Sequence, residues 1–94
     1  VTPLPTITIW TKPACSQCEA TKRAFVRRGL QAGLHYEVRS LTDDLDALTR
    51  FKSMGMLSAP VVEAFGTTWG GFRPDLILSA AEQASALHAQ PAAA

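Results

Sequence analysis

Two cysteines, Cys15 and Cys18, stand with two residues between them, and they are the only thiols in the chain. The entropy gained from a crosslink grows with the loop it closes, so a bridge between them would add little as scaffold. Their spacing makes sense as reactivity: a dithiol that opens and closes by thiol–disulfide exchange, which points to a reducing, cytoplasmic compartment. A zinc centre needs four ligands, and the spare candidates His35 and His88 lack ligand spacing, so no metal is assigned.

The two thiols are not equivalent. A C-x-x-C that follows a strand and opens a helix puts its first sulfur where unpaired N–H groups and the helix dipole favour negative charge. Cys15 is therefore the candidate nucleophile. Cys18, one turn further on and more enclosed, is the candidate resolving thiol that attacks Cys15 in turn. Lys12 is near enough in sequence to add positive potential, and Ser16 and Gln17 would tune thiol acidity and potential from between the cysteines.

The elements that must position this pair can be read around it. Residues 6–10, Thr-Ile-Thr-Ile-Trp, alternate like a strand and stop at Thr11-Lys12-Pro13. From Cys15 to Arg28 there is no Gly or Pro, and Cys18, Thr21, Ala24 and Phe25 share one helical face, leaving Lys22, Arg23, Arg27 and Arg28 solvated. Gly29 and Gly33 bracket a loop, and residues 34–38 read as a second strand. Thr42, Asp43 and Asp44 offer caps for a second helix with Leu45, Leu48 and Phe51 as its apolar positions, ending near Gly55. After Ser58-Ala59-Pro60 come a strand over 61–64, a turn at Gly66 and a strand over 67–69. Pro74 suits the first turn of a last helix whose apolar stripe is Leu76, Ile77, Ala80, Ala81, Ala84 and Leu87. The order βαβαββα implies a four-stranded mixed sheet flanked by three helices.

At 94 residues, with 47% hydrophobic and 18% charged side chains, there is material for one core, so residues 1–94 are expected to form a single domain with its core over 6–88 and a frayed tail at 89–94. A net charge of +1 argues for neither nucleic acid nor an anionic membrane as partner. The opening residues Val1 to Pro5 lack the basic and apolar segments of a secretory leader, and no apolar run approaches a membrane span. His35, His88 and Glu63 are expected at the surface.

Three separated segments carry a resemblance. Thr11-Lys12-Pro13-Ala14-Cys15-Ser16-Gln17-Cys18, Ser58-Ala59-Pro60-Val61-Val62 and Trp69-Gly70-Gly71-Phe72-Arg73-Pro74-Asp75, in this order over residues 6–88, resemble the NrdH-redoxins, glutaredoxin-like proteins with thioredoxin-like behaviour. The resemblance implies a minimal thioredoxin/glutaredoxin fold, no bound cofactor beyond the redox-active disulfide, and a monomer. It also implies electrons from NADPH through thioredoxin reductase, and class Ib ribonucleotide reductase as recipient. It places a cis peptide bond before Pro60, with Ala59 and Pro60 in the substrate groove, where a strand-starting trans proline is the alternative. Trp69, Phe72 and Arg73 would line a docking surface, although Trp69 suits an ordinary core position equally well. The chain departs from the family in Gly70, which replaces a serine, in a longer Gly29–Gly33 loop, and in Arg39-Ser40 where Val-Asp is common.

Two other functions compete. A glutathione-dependent glutaredoxin is suggested by Gly70-Gly71 with Asp75 nearby, a loose match to a glutathione-gripping element. A redox-sensing binding protein similar to the Spx proteins would also use a C-x-x-C, but such chains are longer.

Overall fold

The computed structural model describes residues 6–89, with side chains to Leu87. The elements run β1 (Ile7–Thr11), α1 (Ser16–Arg27), β2 (Tyr36–Ser40), α2 (Leu45–Ser53), β3 (Val61–Ala64), β4 (Thr67–Gly70) and α3 (Pro74–Ala89). The strands form one sheet in the order β2-β1-β3-β4. β1 pairs in parallel with β2 and antiparallel with β3, and β3 pairs antiparallel with β4. The expected four-stranded mixed sheet with three helices is the architecture found.

Alternation along the strands builds two cores, one on each side of the sheet. Ile7 and Ile9 of β1, Val62 and Ala64 of β3 and Trp69 of β4 turn to one face. There they pack with Phe25 of α1 and with Ile77, Ala80, Ala81 and Ala84 of α3. Trp10 and Val61 turn to the other face and meet Leu41, Ala47, Phe51 and Ala59, with Cys18 completing the cluster. The tight turn between β3 and β4 falls on Phe65 and Gly66, both at positive φ (50° and 79°), which matches the twist of the two strands it joins.

Several local readings shift. The second strand starts at Tyr36 and not at Leu34, because Leu34 and His35 are consumed by a turn in which the His35 N–H donates to the Gln31 carbonyl and the Gly33 N–H to the Tyr36 carbonyl. The same turn draws His35 inward: it is buried, and its Nδ1 accepts the Gln31 N–H at 2.8 Å, so the surface placement expected of it is corrected. In α2 the Asp44 carboxylate caps the helix by accepting the Ala47 N–H, a register that points Leu45 to solvent at 71% exposure and turns Ala47 and Phe51 inward. Leu87 likewise lies off the buried stripe of α3. That helix includes Ala89, the first residue of the expected tail; the rest of that tail, residues 90–94, lies outside the described residues, as does the His88 side chain.

Candidate active site

The cysteine pair hangs from the C-terminal end of β1, a strand paired on both sides. The Leu41 N–H donates to the Thr11 carbonyl and anchors that end, after which residues 12–14 turn the chain into α1. Ala14 makes the turn at φ 54°, a left-handed conformation that favours glycine and asparagine. Cys15 then takes extended dihedrals as the N-cap of α1, and its Sγ accepts the Cys18 N–H at 3.1 Å. A side chain that accepts an N–H in the first turn is what a cap requires, and here the capping atom is sulfur.

Cys15 and Cys18 are joined as a disulfide with Cα atoms 5.2 Å apart. Cys18 is buried, at 1% exposure, against Trp10, Phe51 and Val61, whereas Cys15 reaches the surface. Cys15 is half-buried and the more accessible of the pair, while Cys18 is enclosed.

The other residues singled out in the sequence gather around this pair to different degrees. Ser16 and Lys12 are exposed and line an open depression beside Cys15 together with Pro13, Glu19 and Lys22, the last two forming an ion pair. Ala59 and Pro60 are buried, and the peptide bond between them is cis. The Pro60 carbonyl accepts the Gly71 N–H at 2.8 Å, and Gln17 Oε1 accepts the Phe72 N–H at 3.3 Å. These two bonds hold the loop over residues 70–72. Phe72 is 39% exposed, and Arg73 forks onto the Asp75 carboxylate, which it holds below the usual aspartate range. Trp69 differs: at 5% exposure it belongs to the core beneath α3 and presents almost no surface to a partner.

A feature absent from the sequence reading adjoins the cis-proline loop and shares its apolar cluster with the two cysteines. Leu41, Leu48, Phe51, Met56, Leu57 and Ala59 line an apolar notch whose rim includes Lys12. Leu57 stands 79% exposed on it. Leu48 and Met56 are half-buried around it and Leu41, Phe51 and Ala59 form its buried floor, so the notch offers an apolar concavity with one exposed apolar side chain at its edge. The Met56-Leu57 pair directly before Ser58-Ala59-Pro60, with no strand or helix to bury it, was the available signal.

Fold and site together define a thiol–disulfide oxidoreductase of the thioredoxin/glutaredoxin fold. The glutaredoxin family model matches residues 7–68. The chain is 42% identical over 73 residues to the glutaredoxin-like protein NrdH of Salmonella typhimurium, covering 76% of this chain and 83% of that one. Against the glutaredoxin-like protein NrdH of Escherichia coli the identity is 39% over 71 residues, with the same coverage. Among solved structures, the NrdH-redoxin of Escherichia coli, described as having a thioredoxin-like activity profile, superposes with a TM-score of 0.69 at 38% identity, over 78% of this chain and 91% of that one. A buckwheat glutaredoxin in complex with glutathione shares the fold at 18% identity and a TM-score of 0.64, over 86% of this chain and 80% of that one. The chain belongs to the glutaredoxin family, within its NrdH-redoxin branch.

Proposed function

We propose that this protein is a dithiol electron carrier, reduced by thioredoxin reductase at the expense of NADPH and donating electrons to class Ib ribonucleotide reductase. The observation that carries the mechanism is the unequal exposure of the two sulfurs at one helix N-terminus. In the reduced protein the helix dipole and the Cys18 N–H favour a thiolate at Cys15. That thiolate attacks one sulfur of a partner disulfide. A bond forms between Cys15 and that sulfur, and the partner's other sulfur leaves as a thiolate that takes up a proton. Cys18, deprotonated, then attacks Cys15, closing the internal disulfide and releasing the second partner thiol. Two electrons and two protons pass to the partner, and a reductase dithiol restores the carrier by the reverse sequence.

In this reading Ala59, Pro60, Phe72 and the apolar notch form the surface on which a partner's chain lies, with Lys12, Ser16, Gln17 and Arg73 at its margins; Lys12 supports it by lining both the notch and the depression that holds Cys15. An extended peptide bearing the disulfide, with an apolar neighbour for the notch, fits this surface. Trp69 enters this reading only as support beneath the loop. Such a partner meets the carrier in a reducing cytoplasm; among the described residues no helix is long and apolar enough to cross a membrane.

The glutathione-dependent reading draws support from the glutaredoxin family match. Against it, the Asp75 carboxylate is taken by Arg73 and the Phe72 N–H by Gln17, which leaves little of that loop to grip a small peptide. NADPH consumption during reduction of a model disulfide decides between them, with either thioredoxin reductase or glutathione plus glutathione reductase supplied. Turnover with thioredoxin reductase alone, lost in Cys15→Ser, is expected; turnover only with glutathione would overturn the proposal.

A further inference from the structure

α2 is nine residues long and fully buries two of its side chains, Ala47 and Phe51. A helix this short has no stability of its own in water, so its position depends on what ties it to the sheet. Polar contacts do so at both ends. At the start, the capping Asp44 lies 3.6 Å from the Arg39 guanidinium, which in turn sits 4.9 Å over the ring of Trp10. Toward the end, Arg50 forks onto Glu63 of β3, with Nη1 donating to Oε2 at 2.9 Å and Nη2 to Oε1 at 3.4 Å. Glu63 Oε1 also accepts the Trp10 Nε1–H at 2.9 Å. The Trp10 ring meets Phe51 edge-on at 5.6 Å, and the Arg50 guanidinium lies 4.3 Å from the Phe51 ring. Glu63, expected to face outward, is thus a half-buried hub that joins β1, β3 and α2.

α2 and the chain that leaves it build one wall of the notch beside the cysteines: Leu48 and Phe51 come from the helix, Met56 and Leu57 from the segment that follows. We propose that Glu63, through Arg50 and Trp10, is a positioning residue that locks α2 against the sheet and so sets the shape of the surface on which protein disulfides dock. The inference rests on the reading of that notch as the docking face. Glu63 touches neither sulfur, so its effect falls on substrates large enough to use the notch.

The test follows oxidation of the pre-reduced protein in single turnover, with insulin as a protein disulfide and 2-hydroxyethyl disulfide as a small one. Glu63→Gln keeps an acceptor for Trp10 while removing the ion pair. It is expected to raise the half-saturating insulin concentration about fivefold, the scale of a bidentate pair at a partly exposed site, with the limiting rate and the small-disulfide rate unchanged. Amide exchange across α2 should accelerate in the same variant. Leu57→Ser, measured alongside, separates the two levels of the argument. If Leu57→Ser weakens insulin binding and Glu63→Gln does not, the docking face stands and the lock is overturned. If Leu57→Ser has no effect, the docking face fails and the proposal with it. An equal loss on both substrates in Glu63→Gln would also overturn it, since that outcome reports damage to the thiols or the fold.

Discussion

The side-chain carbonyl of Gln17 accepts the backbone N–H of Phe72, so a residue lying between the two cysteines is bonded directly to the loop that flanks them from the other end of the chain. The contact spans 55 positions and needs no metal, charge or second cysteine.

Gln17→Leu removes the acceptor at similar volume. The expected cost is about 0.5–1 kcal/mol, the low end for a hydrogen bond because water can reach the exposed loop. A fall in the urea midpoint, with faster exchange of the Phe72 amide, would bear this out; an unchanged Phe72 amide would mean that the bond does not hold the loop.

The cysteine variants should fail differently. Cys15→Ser removes the more accessible of the two thiols and is expected to abolish disulfide reduction. Cys18→Ser should instead accumulate a mixed disulfide at Cys15, visible as an added mass under non-reducing conditions, because the sulfur that resolves it is gone. Adduct formation in Cys15→Ser would reverse the assignment.

Stability should depend on Glu63 in acid. The Arg50 hydrogen bond, with the Trp10 bond assisting and partial burial opposing, holds its carboxyl below the ordinary glutamate value of 4.5. A carboxylate whose folded pKa is depressed contributes stability that is present above its unfolded pKa and lost as pH falls through the folded one. The wild-type urea midpoint should therefore decline below about pH 4.5 more steeply than that of Glu63→Gln. Parallel acid profiles would show that the pair contributes nothing to folding.

Ala14 gives a test of the turn before Cys15. A β-branched side chain is costly at φ 54°, whereas asparagine tolerates that region, so Ala14→Val should be less stable than Ala14→Asn by about 1–2 kcal/mol. Equal urea midpoints would mean that the turn relaxes freely.

Much of this arrangement was legible in the chain. The strand before Cys15, the helix after it and the hairpin at Gly66 each rest on local chemistry: β-branched alternation, an uninterrupted helical face, a turn residue. The readings that moved depend on contacts distant in sequence. Leu34 looked like strand because the apolar alternation of Leu34, Tyr36 and Val38 says nothing of the turn that Gln31 and His35 make. Leu45 looked inward because its spacing to Leu48 is helical, while Asp44, as cap, set the register otherwise. Glu63 looked outward because a lone carboxylate in a strand gives no hint of Arg50 and Trp10 waiting on other elements. The apolar notch was hidden for the same reason, since its lining is drawn from residues 12 to 59 and converges only once α2 is docked.

The loop between α1 and β2 sits at the other end of α1 from the cysteines, and twelve helical residues separate the two by about 18 Å along the helix axis. Ala32 in that loop is exposed. A molecule attached to an electrode or bead through a linker at position 32 would therefore hold its disulfide outward, toward the solution. Current or partner capture could then be recorded without the support covering the site, and that loop would serve as a handle.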